Sequence, residues 1–419
     1  MKLRQYPGYV RFWAASTASA FGTYITTIAI NVIVVLTLHG GAGSVGLVNA
    51  ARWLPYPLLG LFAGAWVDRH RRKPILVAGD FGRGAILVSV SLLGLGGWLT
   101  LPLLGAHIFA FGALSLAADA AFQSFTPELV PRQLLVRANA RIEQSNSVAQ
   151  TTGPALAGWF TQAVAAPAAI LVDAASYFVS GVVIASIRQP PLPPSPAVTG
   201  DRLLRRIQEG LVWVYRHPRL GPFALTTHLW FLFNSMFGVV FTVYALRERE
   251  LGPFAFGVVL ACAGGGSVLG TLVTARIGDF LGSGRLMVFS RGIYPVAFLI
   301  IAAAGFAPVG HWTGVVAIGF GQFLIGIALG LEGPQEMGYQ QAITPDRLMG
   351  RMSATRRSIN RGMIVIGAPV GGLLAEKIGI RPTMGITAMG MALVVILMVG
   401  WGLHHARMDE QLSEVAARS

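Results

Sequence analysis

The sequence predicts an all-α membrane protein of twelve transmembrane helices arranged as two six-helix pseudo-repeats. Three observations carry this. Apolar runs long enough to cross a bilayer, roughly 20 residues each, recur along the whole chain. Charged residues are only 12% of it, against about 25% in a soluble domain, too few to cover a water-facing surface. Short sequence tags recur in the same order in both halves.

In lipid every backbone polar group must be satisfied internally. A β-barrel would show alternating segments of about ten residues, whereas these runs are continuous and suit helices. The spans fall near 12–38, 44–67, 74–98, 104–126, 138–163 and 166–187, then 220–246, 253–279, 285–307, 312–341, 350–375 and 382–405. The first run is far longer than a signal-peptide core. The domains expected are therefore 1–187, a cytoplasmic linker 188–219, 220–405 and a tail 406–419.

Net charge is +14, and the cations cluster in alternate loops. Those after spans two, four and ten, the middle stretch and both termini carry Lys or Arg. The loops "HGGAGS", "TLPLLGA" and "QAVAAPA" are bare, and "RERE" (Arg247 to Glu250) sums to zero. The charge thus reads as topology with both termini cytoplasmic, not as a nucleic-acid surface. The single cysteine, Cys262, excludes a disulfide framework and a Cys-based metal site.

The repeat tags pair "SAFG" (Ser19 to Gly22) with "SMFG" (Ser235 to Gly238), "QSFTP" (from Gln123) with "QAITP" (from Gln341), and "RANA" (from Arg137) with "RMSA" (from Arg351). The offsets are 216, 218 and 214 residues. Parallel repeats of this kind place a site at their interface near the midplane. Between the halves, "RQPPLPPSP" reads as a stiff linker. Leu203, Leu204, Ile207, Leu211, Val214 and Tyr215 then follow at helical spacing, flanked by arginines. That helix is expected to lie on the cytoplasmic membrane surface, with a protein-binding helix as the alternative.

"GAGSVG" (Gly41 to Gly46) fits a dinucleotide fingerprint, but a membrane-length run precedes it where a short strand is required. No Walker A, paired-histidine or nucleophile-elbow motif is present. No catalytic residue, metal site or cofactor is expected, and the protein is not read as an enzyme.

The densest charge, "DRHRRK" (Asp68 to Lys73), sits in the hairpin after span two, one turn beyond Gly64. With its order Gly64, Asp68, Arg69, Arg72, Lys73, this hairpin resembles the signature of the major facilitator superfamily. "GDFGRG", with Asp80 and Arg83, "EGLVWVYRHPRL" (Glu209 to Leu220) and "LVDAASYFVS" (Leu171 to Ser180) resemble its bacterial exporter branch, which includes macrolide-efflux and enterobactin-exporter-like proteins. The resemblance spans essentially the whole chain and implies the major facilitator fold in a bacterial inner membrane, a small-molecule substrate, lipid as surroundings and a monomer. It also implies that Asp68 contacts the cytoplasmic start of span eleven, and Arg69 a nearby acid, to close a gate. The C-half counterpart, "ARIGDFLGSGR", has Phe280 where an Arg would stand, so most gate charge is expected in the N-half.

"TTGPALAG" in span five, with Gly153, Pro154 and Gly158, resembles the antiporter signature of drug exporters. Ordinary small-residue helix packing is the alternative, and span eleven holds a looser "GAPVGG".

Ionisable groups inside spans are functional candidates by default. Desolvation favours the protonated form of a buried carboxylate, the property a proton carrier needs. Glu332, nearest mid-membrane, is the first choice, with Glu336, Asp119 and Asp173 behind it. Asp173 has a structural hydrogen bond as its favoured alternative, and Asp119 and Glu336 have the alternative of pairing with Arg69 or Arg72. Span four lacks the Arg of many related exporters. Asn31, Arg52, Trp230, Phe233, Asn234 and Phe237 are the expected cavity contacts, although Arg52 could snorkel and any one aromatic could face lipid. The expected function is proton-driven export of small amphipathic, drug- or siderophore-like molecules. Alternatives are a lipid-like or nutrient substrate, import, or a non-transporting receptor on the same fold.

Overall fold

The computed structural model describes residues 3–188, 200–304 and 311–406. The described chain is helical almost throughout. In the first half, α1 (Pro7–Val32) is followed by α2 (Ala42–Trp53), α3 (Pro55–Asp68), α4 (Arg72–Leu95), α5 (Leu101–Leu129), α6 (Leu135–Val164) and α7 (Ala166–Ala185). A helix α8 (Gly200–Arg216) leads into α9 (Leu220–Val243), α10 (Pro253–Leu281), α11 (Ser283–Ala303), α12 (His311–Ile343), α13 (Asp346–Ile378) and α14 (Ile380–Gly400).

Among the described residues, ten helices are long and apolar enough by themselves to cross a membrane. Two more complete the expected twelve, each with a physical reason for standing apart. Span two is broken at Leu54, where Pro55 and Pro57 interrupt the hydrogen-bond ladder, so it comprises α2 and α3. Span five, α6, has membrane length, but its first half is polar.

The chain divides into two compact units. One holds the first six spans with residues 245–258, and the other holds residues 201–244 and those from 259 onward. Both use the same pairings. α4 packs on α7, α1 on α6 and α7, and α5 on α2 and α4. Correspondingly, α11 packs on α14, α9 on α13 and α14, and α12 on α11. The pairing of α2 with α5 is matched by α10 with α12, where Gly270 lies against the Ile327 carbonyl and Gly330 against Ser267. Small residues let membrane helices approach this closely.

The duplication reaches irregular backbone too. Spans one and seven both end in wide π turns, Ile33–Thr37 and Tyr244–Glu248. Each is followed by a residue of positive φ, His39 at 53° and Glu250 at 52°. The α6–α7 and α13–α14 junctions use Ala165 at 69° and Gly379 at 97°.

The Pro-rich stretch 189–199 and the tail from 407 lie outside the described residues. α8 packs on its own unit: Glu209 is ion-paired with Arg351, Val214 is buried, and Gly210 sits against Thr355. Leu211 remains exposed while Val214 is buried, so only part of the expected stripe faces outward. The side chains of Leu203, Leu204 and Ile207 are outside those described.

Beyond α8, His217 Nδ1 accepts the backbone N–H groups of Arg219 (3.3 Å) and Leu220 (3.2 Å), donors orphaned at the start of α9. Partial burial, then the neighbouring Arg219 charge, push its pKa below the ordinary 6.5. A ring whose folded pKa is depressed stabilises fully above its ordinary value, and loses that contribution as pH falls through it. His217→Asn, which retains an acceptor, is therefore expected to flatten the acid side of a melting-temperature profile taken from about pH 5 to 8. An unchanged profile would show that this cap is not the sensitive group.

Candidate functional site

In the C-terminal unit, α12 carries Glu332 and Glu336 one turn apart on one face. Pro334 between them removes the N–H that would serve the Gly330 carbonyl, towards which Thr271 Oγ1 turns at 3.5 Å. Both glutamates meet arginines from neighbouring helices. Arg291 of α11, 2% exposed, binds Glu332 through Nε and Nη2, and its Nη2 lies 3.7 Å from Glu336. The same nitrogen donates to Thr227 Oγ1 of α9 at 3.4 Å. Arg356 of α13 is ion-paired with Glu336, to which Gln340 Nε2 also donates at 2.9 Å.

Four helices are thereby joined by two carboxylates and two guanidiniums whose charges cancel. Breaking such a buried pair costs about 3–5 kcal/mol, because the remaining charge is left without compensation. The network borders a cavity of about 450 Å³. Trp230 and Phe231 form part of its wall, and Arg357, Asn360 and Arg361 of α13 form another. The Arg291 guanidinium lies 5.3 Å from the Trp230 ring centroid, a cation–π arrangement. Behind the wall, His228 is buried between Asn360 Oδ1 (2.6 Å) and the Tyr215 hydroxyl (2.8 Å), a packed polar group.

Of the residues expected at a cavity, Trp230 alone lines this one. Phe237 is buried and stacks on Phe298 with centroids 3.7 Å apart. Phe233 packs against Gly390 of α14. Asn234 is half-buried and outside the lining. The 3.6-residue period explains this: residues 230, 233, 234 and 237 share one stripe, and that stripe turns from cavity into core along α9.

The N-terminal unit has its own polar seams. Asp173 of α7 is fully buried; Thr26 of α1 donates to it, as does Ser176 at 3.1 Å. A Cβ at Gly22 would strike that carboxylate, which accounts for the glycine of "SAFG". Its repeat partner Gly238 faces open space, so the tag marks ancestry and not a shared contact. Asp80 and Arg83 of α4 are ion-paired, and Ser180 Oγ donates to Asp80 at 2.7 Å, joining α4 to α7. Asn31 and Arg52 line a small pocket of about 50 Å³, where Arg52 Nη1 donates to Thr27 at 3.1 Å. Arg52 therefore points into the bundle.

At the α3–α4 hairpin, Arg72 Nε lies 3.5 Å from Glu128 at the end of α5. Lys73 Nζ donates to the Ile187 carbonyl at 2.7 Å, and Arg69 is exposed. The surroundings of Gly64 and Asp68 lie outside the described residues. Of the groups expected to pair at the hairpin, Arg72 meets Glu128, Asp119 accepts from the Tyr56 hydroxyl at 2.6 Å, and Glu336 meets Arg356.

Gly153 packs against the Tyr24 ring of α1. Gly158 packs against Pro253 and Gly257 at the start of α10, and Gly257 against the Pro154 carbonyl. In α13, Gly367 and Gly371 pack in the same way on Leu232, Ser235 and Met236 of α9. The "GP" and "GAPVGG" segments are thus both close-packing surfaces.

Two duplicated bundles, with intramembrane charges bordering a solute-sized cavity, are the build of a multi-pass membrane transporter. The sequence matches the transmembrane secretion effector family over residues 4–417, and the chain belongs to that family of major facilitator transporters. It is 26% identical to the uncharacterized MFS-type transporter YfiS of Bacillus subtilis (strain 168), covering 94% of this chain and 92% of that one. It is 22% identical to macrolide efflux protein A of Streptococcus pyogenes, covering 89% and 90%. Identity to the enterobactin exporter EntS of Escherichia coli O1:K1 / APEC is 26%, covering 86% and 80%. A bacterial homologue of the iron transporter ferroportin, solved in an inward-facing state, shares the fold at a TM-score of 0.75 and 15% identity, over 96% and 99% of the two chains. The nucleoside transporter NupG shares it at 0.72 and 12% identity, over 96% and 99%.

Proposed function

We propose that the protein exports small amphipathic organic molecules across a bacterial cytoplasmic membrane by proton antiport with alternating access. The supporting observation is the Arg291–Glu332–Glu336–Arg356 network on the wall of a solute-sized cavity. With both carboxylates ionised, each guanidinium has a carboxylate partner. A proton on Glu332 weakens its hold on Arg291, which then rests on Glu336 and Thr227. Proton uptake in this scheme changes how α11 is held to α12, a contact difference between two states of the kind a transport cycle requires. Relatives named for macrolide efflux and enterobactin export support the outward direction. Basic loops at one end of the spans support cytoplasmic termini.

In the same reading, the α3–α4 hairpin is the gate. Asp68 and Arg69 are the charges that close it, while Arg72 and Lys73 fix its base to α5 and to the end of α7. Gly153, Pro154 and Gly158 supply a sliding surface.

The test is dye accumulation in inside-out vesicles, across a panel of amphipathic solutes, with and without a proton gradient. Wild-type protein is expected to accumulate at least one solute only when the gradient is present. Glu332→Gln is expected to retain solute exchange and lose the gradient dependence. Wild-type movement indifferent to the gradient would remove antiport, and no movement of any solute would remove transport.

A further inference from the structure

We propose that the C-terminal cavity takes an anionic amphiphile: an aromatic or branched apolar body carrying a carboxylate, sulfonate or phosphate head that docks on the basic face of α13 at Arg357. This rests on reading the cavity as the place where solute binds, and it narrows the solute by charge.

Its ionisable lining is unbalanced. Arg291, Arg356, Arg357 and Arg361 face it, against Glu332 and Glu336. The two carboxylates are consumed by Arg291 and Arg356. Arg357 takes part in none of the ion pairs among the described residues, and it lies one turn from Arg361 on the same face of α13.

Guanidinium prefers a planar or tetrahedral oxyanion, which accepts two of its N–H groups at once. Among the described lining residues an ammonium head would meet guanidiniums and only carboxylates that are already ion-paired, and a neutral head would bring Arg357 no counter-charge. Trp230, Phe231, Met349 and Met352 provide the wall for the apolar body. The volume lies in the range for drug-sized ligands, about 300–1,000 Å³.

The same head chemistry occurs in soluble organic acids and in anionic lipids, and the test separates them. Purified protein in phosphatidylcholine nanodiscs is titrated with 2-naphthoate, 2-naphthamide and 2-naphthylmethylammonium, which share one ring system. Binding is followed by calorimetry and by the melting temperature. Naphthoate is expected to bind and raise the melting temperature, and the amide and the ammonium to do neither. Arg357→Gln removes an exposed side chain without a described ion pair, so the fold is expected to survive. It is expected to weaken naphthoate by about tenfold or more, the loss for a charged hydrogen bond. Nanodiscs doped with phosphatidylglycerol supply the lipid arm. Competition there assigns the anion site to lipid heads, and its absence assigns it to soluble acids.

Equal binding of all three naphthyl probes, no binding of naphthoate, or naphthoate affinity unmoved by Arg357→Gln would overturn the assignment. The measurement needs no gradient, so it separates from the exporter reading. Naphthoate binding with no vesicle transport would leave this site standing and remove export. Pumping of cationic solutes without naphthoate binding would do the reverse.

Discussion

Arg291→Met is expected to cost about 3–5 kcal/mol of stability, the range for removing one partner of a buried ion pair. The side chain is 2% exposed, and its loss strands Glu332 on α12 without a counterion. Glu336 keeps Arg356 and Gln340, so the damage should concentrate at Glu332. The double variant Arg291→Met, Glu332→Gln should therefore recover most of the lost stability, since a neutral amide needs no cation. On the proposed antiport it should not recover gradient-driven transport, because the carboxylate assigned to the proton is gone. Detergent melting curves measure the first outcome and inside-out vesicles the second. If the double variant is as unstable as the single, the loss comes from Arg291 packing on Trp230 and Thr227. If it pumps as well as wild type, the network has no part in coupling.

Sequence reasoning located the acids of this site and missed both bases. A lone arginine in "MVFSRGIYPVAF" was legible, because a carboxylate held in hydrocarbon needs a counterion from another helix. Which helix faces which is a tertiary fact, and no spacing within α11 states it. Arg356 was harder still. It stands beside Arg357 at the basic end of span eleven, where cations also serve topology and lipid headgroups. The two differ only in which side of α13 they occupy: Arg356 is buried on Glu336, and Arg357 is exposed.

Hydropathy placed the spans because it registers the hydrocarbon layer. It misplaced several ends because helical hydrogen bonding continues beyond that layer, so α13 begins at Asp346, ahead of the apolar run. The opposite error occurs in span twelve. There α14 stops at Gly400, and Gly402 adopts a left-handed conformation, although the run reads on to 405. The repeat tags gave the duplication correctly, and the shared pairings and paired positive-φ residues extend it well beyond the tags.

Gly158→Val is expected to abolish transport while protein continues to reach the membrane. Two glycines face each other where α6 meets the first turns of α10. A Cβ on Gly158 would run into the Pro253 carbonyl, and one on Gly257 into the Pro154 carbonyl. Both obstacles are backbone, so no rotamer change can relieve them. Gln162 Oε1 accepts the Phe254 N–H at 3.1 Å one turn along, which fixes the register. Overpacking a close contact costs about 1–3 kcal/mol, less than the loss at Arg291, so the helices should still insert. If the contact slides as in the proposed alternating-access cycle, it should tolerate bulk less well than one that need only hold. The graded series Gly158→Ala, then Gly158→Val, should therefore lower the vesicle transport rate in steps that outrun any fall in melting temperature. Gly238→Ala is the control, because a Cβ there meets nothing within 4 Å and transport should be unchanged. Rates that fall only in proportion to stability would make the "GP" segment a packing surface and nothing more.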